Sequence, residues 1–542
     1  MIPKNIAKHI LGELPLTAET YWYLRQAGKP LNKSFSLEAL RKGLPVWRAQ
    51  AAEAARRARP GKKVLIFATL HYWISHATLS GLALAGLGHE VTLAYLPYGR
   101  WQQPINRFDL RRQNLYASNV LQQAGALVQE VSFLNKDSRG IELPSQLERE
   151  VEEVSFRDTQ YSLQVEEVSP GSELYRLRQE RNREAAQAAL AWMEREKPQV
   201  VVIPNGTILE FGVLYRVARH LGIRCVTYEF GEQRNRIWLA QDAEVMRQST
   251  EVLWAARGGR DLNPVELEQV QALFAARQKA SLWENFSRRW QGVPSKGGEQ
   301  VRQALGLDER PVVLLATNVI GDSLTLGRQV FSDSMTEWLE RTLQFFAGKP
   351  GVQLVVRIHP GELITKGPSV GEVVQRALPG GLPENIHLVA ADAAVNTYDI
   401  VAIADLGLVY TTTVGLEMAM SGIPVIAIGQ THYRGKGFTL DPDSWAGYLE
   451  LLDQVLANPA KYRLTRQHLD RAWEYAYRFF FEYPQPFPWH LVHLWEDLQA
   501  WPLERVLGEE GQAQFGETFR YLAGEPVDWS RKPELVEQGV QA

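Results

Sequence analysis

Cysteine is nearly absent from this chain: its 542 residues include one, Cys225, inside the apolar run IRCVTYEF. A single thiol cannot close an internal disulfide or build a cysteine metal cluster, and its isolation fits a reducing compartment. Excess charge is lacking too. The 59 Lys and Arg against 62 Asp and Glu leave a net charge of −3, so no global basic field points to nucleic acid. The opening MIPKNIAKHILGELPLTAETYW contains no long apolar segment of the secretory kind. There is no internal repeat and no low-complexity tract. No Asp-x-Asp falls in a strand-end context. His490 and His493 in WHLVH lie three apart on a Trp- and Leu-rich stretch where packing accounts for them. Metal ligation is therefore not expected.

One stretch lacks charge altogether. Val64 to Gly88 is 25 residues without Asp, Glu, Lys or Arg, long enough for a membrane span. His71, Ser75, His76, Thr78 and Ser80 sit near its middle, where polar groups are costly in lipid. Its pattern also changes, from the β-rich KVLIFATL to helical spacing through Leu79, Leu82, Ala83, Gly86 and Leu87. A buried strand, a loop and a packed helix explain it better than a span.

What is present is ordinary for a chain that buries a large core: 45% hydrophobic and 22% charged residues. At about 150 residues per domain the length predicts three or four units. Residues 1–60 read as a helical extension ending at Pro60-Gly61. Residues 61–240 alternate apolar strands with helices through KKVLIFATL, HEVTLAYLPY, QVVVIPNG and IRCVTYEFGE. Residues 241–300 read as helices followed by the polar linker QGVPSKGGEQ. Residues 301–458 alternate again through RPVVLLATNVIGDS, GVQLVVRIHPGE, NIHLVA, LGLVYTTT and IPVIAIGQ. Residues 459–542 read as a helical tail. Strands apolar throughout and separated by helices predict parallel sheets covered on both faces. The expectation is α/β, with two doubly wound Rossmann-like domains facing a cleft and binding groups at the carboxyl ends of the strands.

Those strand ends carry the chemistry. In VYTTTVGLEMAMSGIP, Thr411, Thr412 and Thr413 follow a strand, and Thr413 stands where a helix cap would. Free amides and hydroxyls at such a place suit a phosphate. Glu417, one turn in, suits vicinal sugar hydroxyls; a plain cap and a glutamate paired to a neighbour is the competing account. Arg357 and His359 in RIHP suit a phosphate or a leaving phosphate oxygen. Asn318 and Asp322 follow the first strand of the second unit. In the first unit Glu229 ends a strand, with Gly231 letting the chain turn and Glu232 as a nearby competitor. Asn205 ends another strand in an Asn-Gly turn.

The ordered set N-x-x-G-D, R-x-H-P, T-T-x-G-x-E, G-x-P-V and YRGKGFT, from Arg310 to Thr439, resembles the bacterial capsule polysaccharide biosynthesis family. TYEFGEQR resembles that family's E-x-G-x-x-R element through Glu229, Gly231 and Arg234. The departures are Asn235 for proline, Asn318 for glutamine and Met418 for alanine. The resemblance implies a GT-B glycosyltransferase that is metal-independent, needs no cofactor and works on cell-surface polysaccharide, with CMP-Kdo among the donors. It implies a donor site on Asn318, Asp322, Arg357, His359, Thr411 to Thr413 and Glu417. Glu229 would be the cleft carboxylate, with Glu232 and His359 as further catalytic candidates. His71, His76, Asn205 and Arg234 would lie on the acceptor side. The expected partners are a nucleotide-sugar donor and a glycan or glycolipid acceptor, in the cytoplasm, with peripheral membrane association left open. A nucleotide-sugar epimerase, a polyol-phosphate transferase and a non-catalytic scaffold remain alternatives on the same architecture.

Overall fold

The computed structural model describes residues 4–26, 28–134, 140–282 and 292–532. Twelve strands form two sheets. The first contains β1 (Lys63–Thr69), β2 (Glu90–Leu96), β3 (Val128–Ser132), β4 (Val200–Pro204), β5 (Arg224–Glu229), β6 (Arg236–Gln241) and β12 (Gln485–Pro486). The second contains β7 (Val312–Ala316), β8 (Gln353–Arg357), β9 (Ile386–Val389), β10 (Leu406–Val409) and β11 (Val425–Ala427).

The first sheet runs β12-β6-β5-β4-β1-β2-β3 and the second β11-β10-β7-β8-β9. From β1 to β5, and from β7 to β11, all pairings are parallel. Each set therefore has the order 3-2-1-4-5, with its reversal between the first and fourth strands. Burial explains the apolar runs. Every residue of β4, β7, β8 and β10 is buried, as expected when helices cover both faces. The architecture is two doubly wound Rossmann-like domains, GT-B-like, as the alternation predicted.

The charge-free stretch resolves into β1, one residue, and the helix His71–Gly86. That residue, Leu70, has φ 64°, a left-handed turn that redirects the chain without a longer loop. No described helix is long and apolar enough to cross a membrane.

Three strands escaped the sequence reading. β3 and β6 were assigned to no strand, and β12 lies in the stretch read as a helical tail. The tail does not stay with the second unit. Its helix Arg466–Tyr477 packs Ala472, Tyr475 and Ala476 against Leu416 and Met418 of that unit. The chain then crosses back. β12 pairs antiparallel with β6, and Leu503, Phe515 and Phe519 join the first core beside Leu40 and Leu44 of the N-terminal helix Glu38–Ala55. The helices expected over 241–290 appear as Glu251–Arg257 and Pro264–Gln278; residues 283–290, Gln291 of the linker, 1–3 and 533–542 lie outside the described residues.

Candidate active site in the interdomain cleft

Glu229 closes β5 at the carboxyl rim of the first sheet. Its Oε2 accepts a hydrogen bond from Asn205 Nδ2 (3.1 Å) and its Oε1 accepts one from the Phe230 N–H (3.0 Å). Asn205 is fixed from the other side, because its Oδ1 accepts from the Thr207 and Ile208 N–H groups. That bonding decides which end of the amide faces Glu229. The turn is tight: Asn205 has φ 59°, and a Cβ on Gly206 (φ 78°) would lie 2.5 Å from Thr227 Cγ2. Burial lifts the Glu229 carboxyl above the usual range, and the two hydrogen bonds offset only part of that. Neither partner is a cation, so the charged form is favoured only by hydrogen bonds from neutral groups.

Two tyrosines share this field. Burial, then Tyr161 and Glu229, push the Tyr72 phenol up to about 12. Tyr161 is raised by burial, then by Asp322 of the second domain and by Glu229. Acidic groups of both domains thus bear on it. Just beyond it the domains touch. Glu166 accepts from the Met335 and Thr336 N–H groups (2.7 and 2.9 Å) and so caps the helix Met335–Ala347 of the second domain. A Cβ on Gly321, which has φ 71°, would meet Val165 N at 2.4 Å, so a side chain there would push this contact apart.

On the second rim Asn318 follows β7 and Thr411 follows β10, across the reversal of strand order. The Thr411 N–H donates to Asn318 Oδ1 (3.1 Å), tying the two loops together. Tyr433 of the YRGKGFT stretch donates its O–H to the Thr412 carbonyl (2.7 Å). The His359 N–H donates to Thr317 Oγ1 (3.1 Å), and the Gly361 N–H donates to His359 Nδ1 (2.9 Å). The neutral ring therefore carries its proton on Nε2, on an exposed side chain. Asp322 turns one oxygen back on the Ser323 N–H (2.8 Å).

A cavity of about 90 Å³ lies between the rims, lined by Gly231, Glu232, Trp238, Arg277, Thr413 and Phe480 among others. Thr413 stands at the N-cap of the helix Val414–Met420, yet its hydroxyl makes no capping bond there. The Thr411 hydroxyl is buried and has no hydrogen-bond partner among the described residues.

Several of the expected site residues already have protein partners. Glu417 does not face the cleft free. It is buried, ion-paired to Arg277 and accepts from Tyr398 O–H (2.9 Å), which is the glutamate-paired-to-a-neighbour account. Arg357 is buried with its guanidinium spent on the Ala390 and Val395 carbonyls and Thr397, not turned toward a phosphate; burial lowers its pKa. Arg234 is bound to Glu496 and Asp497 of the returning tail (3.0 and 2.7 Å). His76 lies in an aromatic core, with Nε2 against the Trp489 carbonyl (3.2 Å) and Nδ1 near Tyr228 O–H (3.4 Å). Burial pulls its pKa to about 3, so it stays neutral at physiological pH. His71 begins its helix half-buried, with its pKa lowered by burial and Nδ1 unpartnered. The chain reverses after Gly231 into the antiparallel β6, and Gly231 also allows close approach: a Cβ there would meet the Trp238 indole at 2.8–3.0 Å.

Sequence reasoning missed Arg277, Tyr398 and Trp238. Arg277 sits on the connecting helix Pro264–Gln278 and Trp238 on β6. Only Tyr398 had a local signal, in the apolar helix after β9. Among the described residues no group of three or more His, Cys, Asp or Glu is placed to hold a metal.

The two sheets and the cleft define a GT-B-like architecture. No protein-family model matches the chain, and no curated protein matches it. Among solved structures it is similar to a β-Kdo 2,4 transferase, KpsC, of Thermosulfurimonas dismutans: 17% identity and TM-score 0.36, over 54% of this chain and 83% of that one. It is also similar to UDP-GlcNAc 2-epimerase from Neisseria meningitidis bound to UDP-GlcNAc (13%, 0.26, 77% and 99%). A third is sucrose-phosphate synthase from Thermosynechococcus elongatus (12%, 0.28, 86% and 99%). With TM-scores this low, the fold rests on the strand order and the chemistry on the site.

Proposed function

We propose that this chain is a glycosyltransferase that moves a sugar from a nucleotide donor on the second rim to an acceptor hydroxyl on the first. The observation that carries the reading is Glu229: a carboxyl raised by burial, oriented by Asn205 and set at the edge of the cleft. A base of raised pKa is matched to proton transfer near neutral pH. Glu229 takes the proton of the acceptor hydroxyl as that oxygen bonds to the anomeric carbon. The bond from that carbon to the donor's phosphate oxygen breaks, and the departing phosphate accepts a hydrogen bond from His359 Nε2–H. Thr413 and the loop amides after β10 hold the donor. Arg357 acts indirectly, by fixing the loop after β9. No step calls for a divalent ion, so turnover should survive EDTA. CMP-Kdo is the first donor to try, on the strength of the sequence motifs.

The test is a thermal-shift screen of nucleotides and nucleotide sugars, because a ligand that binds only the folded state raises its melting temperature. The stabilising sugar nucleotide is then incubated with and without glycan acceptors. Acceptor-dependent release of the nucleotide supports transfer. Inversion within the donor sugar, with no acceptor needed, would move the chain to the epimerases; no stabilisation by any nucleotide would remove the proposal.

A further inference from the structure

The N-terminal segment turns a set of large apolar side chains outward. Leu16, Tyr23 and Leu24 are 70%, 68% and 76% exposed, and Leu11, Leu14 and Tyr21 are exposed beside them. Leu11, Leu16, Tyr21 and Leu24 rim one open depression of about 440 Å³, so they form a contiguous face. This face is held in place. Ala18 and Trp22 of the same turns are buried, Gly12 packs on the Phe108 backbone, and Tyr21 meets Phe108 edge-on at 5.6 Å with Arg112 stacked over it at 4.4 Å. Leu16 has φ 59°, a left-handed conformation that favours Gly or Asn, yet the position carries an exposed leucine.

Charge decides what would cover it. The chain as a whole is −3, but residues 1–33 carry Lys4, Lys8, Arg25, Lys29 and Lys33 against Glu13 and Glu19. Both glutamates are already neutralised, Glu13 by Arg107 and Glu19 by Arg111 of the helix Arg107–Leu121. Arg25, Lys29 and Lys33 have no carboxylate partner among the described residues. A tyrosine- and leucine-bearing face with Arg25 on its rim, and with Lys29 and Lys33 exposed a few residues further along the chain, matches a surface that offers hydrocarbon behind negative headgroups.

We infer that this N-terminal face docks the chain onto a bilayer of anionic phospholipid. The apolar side chains enter the headgroup boundary, and Arg25, Lys29 and Lys33 lie against the phosphates. Docking here is independent of the nucleotide-sugar reading, since none of these residues lines the cleft.

The test is sedimentation of the full chain with vesicles of phosphatidylcholine, alone or mixed with phosphatidylglycerol. Binding should need phosphatidylglycerol and weaken in raised salt. Leu16→Glu with Leu24→Glu should cut it by about tenfold or more at unchanged melting temperature, since both side chains are already in water. Arg25→Glu with Lys29→Glu, wholly on the surface, should do so by a similar factor even if the leucine pair disturbs the turn. Failure to bind anionic vesicles, or binding undiminished in both variants, would overturn the inference. So would a dimer, seen by light scattering, that the leucine pair dissolves, since a second copy would then cover the face.

Discussion

β4 of the first sheet and β10 of the second hold the same place in the same strand order, each fourth beside a central first strand. β4 ends in Asn205, which spends its amide on Glu229 of the fifth strand. β10 ends in Thr411, whose N–H is spent on Asn318 after the first strand. The fifth strands differ as well. β5 closes with a carboxylate, whereas β11 runs into Gly429, where a Cβ would strike Thr411 Cγ2 at 2.9 Å. A repeated scaffold thus presents a chemical group on one rim and a close-packed, amide-rich surface on the other. Two glutamates make the contrast sharpest. Glu229 has neutral partners only; Glu417 has the Arg277 cation. One is held by hydrogen bonds from neutral groups and the other by an ion pair, and burial raises the pKa of both.

The largest effect should come from breaking the locked pair. Arg277→Ala strands a buried carboxylate and should cost about 3–5 kcal/mol in urea unfolding. Arg277→Met with Glu417→Met should recover most of it. A loss under about 1 kcal/mol would mean that Glu417 is not locked and would restore it as a donor residue. Next comes His359, exposed on the second rim. His359→Ala removes one donor to the phosphate and should weaken nucleotide-sugar binding roughly tenfold by calorimetry. Its structural cost should stay near 1 kcal/mol, from the lost bond to the Gly361 N–H.

A smaller effect follows the Glu229 carboxyl by pH. The Glu229 pKa is raised above its ordinary 4.5 in the folded state. The folded chain therefore keeps this proton to higher pH than the unfolded one, and the associated stability is lost as pH rises from 4.5 through the folded value. Glu229→Gln lacks that loss. Its melting temperature should match the wild type near pH 4.5 and exceed it increasingly toward neutrality; the opposite trend would mean a hidden cation beside Glu229. The smallest effect is a null. The His76 ring, held near a pKa of about 3, should show no titration by NMR between pH 5 and 8.

The sheets were legible because fully buried parallel strands must be apolar throughout, as VVVIP and VVLLA are. β3 was not, because its burial falls away along VQEVS at the sheet edge. β12 was not, because two residues carry no period. The strand-end positions of Glu229, Asn205 and Asn318 were legible because a strand end is a local feature. The partners of Glu417 and Arg357 were not legible because they are distant in sequence or are main-chain carbonyls. Arg277 is 140 residues from Glu417, and no spacing rule reports such a contact.

The division of labour between the rims is tested most directly by measuring donor affinity and turnover together in two variants. Glu229→Gln keeps the shape of the first rim, and Thr413→Val keeps that of the second, where no capping bond is lost. Glu229→Gln should lower turnover by about 10²–10⁴-fold with donor affinity nearly unchanged, because a base acts mainly in the transition state. Thr413→Val should weaken donor affinity several-fold and leave turnover at saturation nearly unchanged. Near-normal turnover in Glu229→Gln, or both variants failing in the same parameter, would contradict the account.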